Sequence, residues 1–132
     1  MTPAPRQVLL WVLLRILIAD DYPDATESLC KLLKLWGHEC AVAYDGPAAL
    51  RLAMDGRPDV ALLDIGMPKM DGYTVGRQIL ERHPGLPVFA ITGYGTAADV
   101  QQAKEAGFTG HLLKPVDPAI LQAVLATIRP LQ

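Results

Sequence analysis

The 132-residue chain predicts an α/β fold in which a parallel five-stranded sheet is covered by helices on both faces. Three observations lead there. Short apolar runs and amphipathic stretches alternate five times along the chain. Several of the runs barely alternate, as strands buried on both faces do. The connections are short, so the whole chain is used and no second domain, internal repeat or low-complexity linker has room.

The apolar runs lie at 14–19, 40–44, 60–63, 88–91 and 111–113, each too short for a helix and most bounded by Gly, Pro or Asp. After the first, Asp24 and Glu27 read as a capping box with Asp in place of Ser or Thr. They start a helix whose Ala25, Leu29, Leu32, Leu33 and Trp36 share one face, and Gly37 is its stop. Pro47 opens a second helix carrying Leu50, Ala53 and Met54, ended near Gly56. A third is predicted over 72–82, closed before Pro84. Gly76 inside it costs about 1 kcal/mol relative to Ala, with close packing as the plain reason. Thr96 and Asp99 cap a fourth helix that ends at Gly107. Only Val100, Ala103 and small residues can face the core there, so it is expected to be among the most mobile elements. Asp117 as N-cap and Pro118 at the first helical position start the fifth, where Leu121, Val124, Leu125 and Ile128 keep core spacing.

Residues 1–13 fall outside this scheme. The apolar segment after Arg6 superficially suits a signal peptide, but no small-residue cleavage site follows and the next segment is needed as a strand. It is read as an N-terminal extension to a domain spanning 14–132, continuing the first strand or packing as a turn, with a contact surface for a second copy through Leu9, Leu10, Trp11 and Leu13 as the alternative.

Composition excludes several classes. Twelve Lys and Arg against 14 Asp and Glu give a net charge of −2, without the basic excess that a dedicated nucleic-acid binder sets against phosphates. No apolar stretch approaches the ~20 residues that span a bilayer. Cys30 and Cys40 are too few for a disulfide scaffold and read as small buried hydrophobes in a reducing, cytoplasmic setting.

The chemistry is positional. Four of the five runs end in reactive polar groups: Asp20 and Asp21 after the first, Asp64 after the third, Thr92 after the fourth, Lys114 after the fifth. Open parallel sheets bind ligands beyond the carboxyl ends of their strands, where strand order reverses. Each residue alone has an ordinary reading, as a solvated turn, a helix cap or a loop start; the combination at one sheet edge does not. Two carboxylates about 4 Å apart repel by roughly 4 kcal/mol at an effective dielectric near 20. Converging carboxylates therefore need cations. Lys114 supplies one charge, and a hard, oxygen-seeking divalent ion, Mg²⁺, supplies the rest; no His or Cys cluster argues for zinc. Such a place seats a phosphoryl group, with Asp64 as its nucleophile.

The segments LRILIADDYPD, DVALLDIGMPKMDG, VFAITGYG and HLLKPVD closely resemble the receiver domain of two-component response regulators, from about Leu14 to Arg129. The resemblance implies a flavodoxin-like (βα)5 fold with strand order 2-1-3-4-5. It implies that Asp64 accepts a phosphoryl group from a phosphohistidine on a histidine kinase or phosphotransfer protein. Asp21 and Asp64 would ligate Mg²⁺ directly with the Gly66 backbone carbonyl, and Asp20 would hold a metal-bound water. Lys114 would pair with phosphoryl oxygens before a cis Pro115, and Thr92 would be the switch hydroxyl. The fourth helix, fifth strand and fifth helix would carry the readout to a downstream protein target. The implied role is a signalling switch, not an enzyme, and with no output module after Gln132 it would work by protein contact or within a phosphorelay.

The sequence departs from the family pattern in places. His111 stands where Tyr or Phe is usual, and an imidazole that rotates behind Thr92 would bring its charge state into the switch. Gly66 leaves no side chain beside the acyl phosphate, and with Tyr94 it would set how readily water attacks. Two rivals share the architecture. A flavodoxin-like electron carrier needs a hydroxyl- and glycine-rich phosphate loop where this chain has acidic ADDYPD. A receiver-shaped adaptor working without phosphorylation would not need the full acidic set with Thr92 and Lys114.

Overall fold

The computed structural model describes residues 13–130. Five β/α units follow one another: β1 (Arg15–Ala19), α1 (Pro23–Leu35), β2 (Glu39–Ala43), α2 (Gly46–Gly56), β3 (Val60–Asp64), α3 (Gly72–Arg82), β4 (Val88–Thr92), α4 (Ala97–Glu105), β5 (Gly110–Leu113) and α5 (Pro118–Leu125). The strands form one parallel sheet in the order β2-β1-β3-β4-β5. Every apolar run is a strand, with boundaries within one residue of those read from the sequence.

Successive strand side chains point to opposite faces, so a strand covered on both sides must be apolar throughout. In β1, Ile16 and Ile18 pack with Leu33 of α1 and with Leu121 and Leu125 of α5. Leu17 and Ala19 join the opposite cluster, with Ala49 and Ala53 of α2, Val75 and Ile79 of α3 and Ala103 of α4. Val60 and Leu62 against Ala61 and Leu63 repeat the division in β3. Each buried Leu or Ile contributes on the order of 2 kcal/mol, and β3 and β4 are buried at all five of their positions. The chain leaves β1 for β2 on one side, then returns to lay β3 on the other. That reversal opens a crevice beyond the carboxyl ends of β1 and β3.

Caps hold most helices in place. Asp45 accepts from the Ala48 amide at 2.8 Å, Asp71 from Thr74 at 2.9 Å, Thr96 from Asp99 at 3.2 Å and Asp117 from Ala119 at 2.8 Å. The capping box expected at Asp24 does not form. Pro23, whose φ is preset for a helix, starts α1 two residues earlier, with Tyr22 at the N-cap and no side-chain cap. Asp24 then sits in the first turn, and the buried face rotates to Thr26, Cys30 and Leu33 while Ala25 is exposed. α2 starts one residue before Pro47, with Asp45 as its cap, and ends at Gly56 as expected, with Arg57 in the left-handed position beyond it. α5 stops at Leu125, with Ile128 buried just beyond it. α4 buries Ala103 alone, with Val100 half-buried.

Gly76 has a physical reason. A Cβ there would lie 2.1 Å from the ring of Phe108, which is buried against α3. The helix gives up propensity so that a phenyl ring can close the core. Cys30 is buried and Cys40 half-buried, both as free thiols. The extension and its Leu9, Leu10 and Trp11 lie outside the described residues; Leu13, at its end, is 47% exposed.

Candidate functional site

Parallel register brings the polar strand ends to one edge. Asp64 closes β3 opposite Ile91 of β4, and Thr92 closes β4 opposite Leu113, so Lys114 follows directly. The Lys114 amide donates to the Thr92 carbonyl at 2.8 Å. Asp20 follows β1, and its amide is held by the Ala43 carbonyl at 3.1 Å. Asp20 and Asp64 are buried, 4% and 6% exposed, while Asp21 is open to solvent.

Lys114 bridges the two buried carboxylates. Its Nζ lies 3.1 Å from Asp20 Oδ2 and 3.3 Å from Asp64 Oδ2. The other oxygens are used too: Asp20 Oδ1 accepts from the Tyr22 amide at 3.0 Å and Asp64 Oδ1 from the Gly66 amide at 3.1 Å. The Lys114–Pro115 peptide is cis. Burial pulls the Lys114 ammonium toward a lower pKa, but the hydrogen bond to Asp20 and the charges of Asp64 and Asp20 outweigh it, so its pKa lies above the ordinary 10.5.

That shift has a sign. A raised folded-state pKa means Lys114 stabilises the fold fully below pH 10.5, and the contribution is lost as pH rises through the raised value. Lys114→Met leaves two buried carboxylates without their counter-ion. Because about a third of the Lys114 side chain is exposed, the expected loss at neutral pH is about 2 kcal/mol, below the ~3–5 kcal/mol of a fully buried pair. Urea unfolding checks it.

Asp20, Asp21 and Asp64 each offer a carboxylate oxygen, and the three atoms lie within 4.8 Å of one another. Three carboxylates and one ammonium leave two surplus negative charges. An all-oxygen donor set with that surplus fits a hard divalent cation such as Mg²⁺, which binds through few protein ligands and keeps several waters. The donors and the charge both fit.

Thr92 is 3% exposed and its hydroxyl is occupied. Oγ1 accepts from the amides of Tyr94 at 3.3 Å and Gly95 at 3.4 Å, and donates to Asp99 Oδ2 at 3.4 Å. The side chain of Asp99 was not legible as part of this edge. In sequence it is the third residue after the Thr96 cap, and only the fold turns its carboxylate back toward β4. His111 is exposed on β5, and Tyr94 is 87% exposed.

Residues 16–126 match the family model of the response regulator receiver domain. The chain belongs to that family. It is 36% identical over 117 residues to the transcriptional regulatory protein PrrA of Mycobacterium tuberculosis, covering 89% of this chain and 49% of that protein. It is 35% identical over 111 residues to the sensor histidine kinase RcsC of Salmonella typhimurium, covering 84% of this chain and 12% of that one. The response regulator PleD of Caulobacter vibrioides is 39% identical over 113 residues, 83% of this chain and 24% of PleD. The chain thus spans half or less of these relatives. Among solved structures, the chemotaxis protein CheY4 of Vibrio cholerae superposes with a TM-score of 0.84 at 28% identity, over 89% of this chain and all of that CheY4 chain. Receiver domains are signalling modules that bind Mg²⁺ in an acidic pocket and interact with histidine kinases or phosphotransfer proteins. Among the described residues, no helix is long and apolar enough to cross a membrane.

Proposed function

We propose that this receiver domain is a phosphorylation-dependent switch whose phosphoacceptor is Asp64. The observation that carries the reading is Lys114 Nζ, held 3.1 Å and 3.3 Å from two buried carboxylates of different strands, with a third carboxylate beside them. An Asp64 carboxylate oxygen attacks the phosphorus of a phosphohistidine on a histidine kinase or phosphotransfer protein. The new O–P bond forms as the P–N bond breaks, and the imidazole nitrogen leaves with the electron pair. Lys114 offsets charge on the transferred oxygens, and the Gly66 amide fixes the orientation of the Asp64 carboxylate.

Asp21 and Asp64, with the Gly66 carbonyl, would hold Mg²⁺, and Asp20 would hold one of its waters. Bound there, Mg²⁺ supplies further neutralisation of the phosphoryl oxygens. Phosphoryl transfer needs positioning and charge balance more than covalent help, so no separate base is required. The phosphorylated form then favours a conformer in which Thr92 turns inward, with α4, β5 and α5 carrying the change to a downstream protein target. The thin apolar anchoring of α4 supports a small energy gap between two packings. Exposed His111, on β5, lies within that readout surface. Gly66 and Tyr94 set the access of water to the acyl phosphate. A cytoplasmic setting fits this role.

Incubation with acetyl phosphate and Mg²⁺, followed by intact-protein mass spectrometry, tests the switch. One phosphoryl group per chain is expected, and none with a chelator in place of the metal. A chain that gains no mass with any small phosphodonor is an adaptor instead.

A further inference from the structure

A threonine hydroxyl has one hydrogen to give. In this structure Thr92 gives it to Asp99 Oδ2, at 3.4 Å, on the first turn of α4. The carboxylate that receives it is itself held from a third element. Asp99 Oδ1 lies 3.3 Å from the hydroxyl of Tyr73 on α3, which also reaches the Asp99 carbonyl oxygen at 3.3 Å. Tyr73 is 6% exposed, and its ring packs against Phe108 with centroids 6.0 Å apart. The Asp99 amide is tied to the Thr96 hydroxyl at 3.2 Å. Burial, then the neighbouring Asp99 charge and hydrogen bond, keep the Tyr73 phenol protonated by raising its pKa, so it stays a donor.

We propose that Asp99 is a positioning residue for the switch hydroxyl: tethered by Tyr73, its carboxylate holds Thr92 Oγ1 toward α4 and competes with a phosphoryl oxygen on Asp64 for the same hydrogen. The inference rests on the phosphoacceptor reading above and adds to it the group that Thr92 must leave. Every contact of the tether lies at 3.3–3.4 Å, the long end of the hydrogen-bond range. Such a hold is weak enough to be exchanged for a charged phosphoryl oxygen, yet it biases the resting state. The tether also joins β4, α4 and α3, so releasing Thr92 frees the first turn of α4 from the end of β4 and leaves it held by Tyr73 alone. The phosphoryl event is thereby coupled to the element with the least apolar anchoring.

The test uses beryllium trifluoride, a phosphoryl analogue, with Mg²⁺, its binding to the full chain followed by fluorine NMR. Removing the competing acceptor in Asp99→Ala should tighten binding about fivefold, the worth of one ordinary hydrogen bond. Tyr73→Phe keeps the buried ring and should shift it the same way by less. The decisive arm is Thr92→Ala. In that background Asp99→Ala should change nothing, because the carboxylate acts only through the hydroxyl; a general structural effect would persist. Unchanged or weaker binding by Asp99→Ala, or an equal gain with Thr92 removed, overturns the inference while leaving the phosphoacceptor reading intact. No binding by the unmodified chain overturns both.

Discussion

Asp64→Asn is expected to take up no phosphoryl group from acetyl phosphate, to the detection limit of intact-mass spectrometry, while folding as the parent chain does. The substitution is nearly isosteric, so the β3 packing of Val60–Asp64, buried along its length, has no reason to change. The chemistry changes completely. A neutral amide is not a competent nucleophile toward phosphorus, and Lys114 keeps only Asp20 as a partner. Thermal stability without divalent metal should be equal or higher, since one of three mutually repelling carboxylates is gone. This opposition, activity abolished and stability kept or raised, separates a functional residue from a structural one. A phosphoryl group on the variant would mean that another side chain is the acceptor.

The second large effect is at a residue with no side chain. Gly72 opens α3, and a Cβ there would lie 2.5 Å from the Asp64 carbonyl oxygen, 2.8 Å from Ile65 Cα and 2.9 Å from the Asp64 carbonyl carbon. All three are backbone atoms, so no rotamer change relieves the overlap. Gly72→Ala is expected to cost about 3 kcal/mol, the upper end of ordinary overpacking, in urea unfolding. It should also slow phosphoryl uptake, because the strand end that must yield is the one carrying Asp64. Gly56→Ala is the control: nothing lies within 4 Å of a Cβ there, and stability should hold or rise by up to about 1 kcal/mol. Equal behaviour of the two variants would contradict this account of the glycine in the Met-Asp-Gly segment.

The fold was legible because its signals are local and redundant. Two-faced burial leaves apolar runs without alternation, and Asp71, Thr96 and Asp117 act as the caps they were read to be or sit where a helix was expected to begin. The α1 start was misread for an equally local reason, since Pro23 preempts Asp24. The strand-end groups were legible because a parallel sheet puts every carboxyl end on one edge, which is how Asp20, Asp64 and Lys114 come within a salt bridge of one another. Contacts made across elements were not. Nothing near Gly76 announces Phe108, and nothing near Asp99 announces Tyr73 or Thr92; those pairings exist only once α3 has packed over β3 and β4 and α4 over β5.

Fourteen acidic residues are available in this chain, and Asp64, with the Lys114 ammonium beside it, is the one expected to take the phosphoryl group. Borohydride reduction of the acetyl phosphate-treated chain converts an aspartyl phosphate to homoserine and so marks the acceptor permanently for peptide mass spectrometry. Homoserine is expected at position 64 alone, and only when Mg²⁺ accompanied the phosphodonor. Homoserine at another aspartate, or at position 64 to the same extent in a chelator, would contradict it.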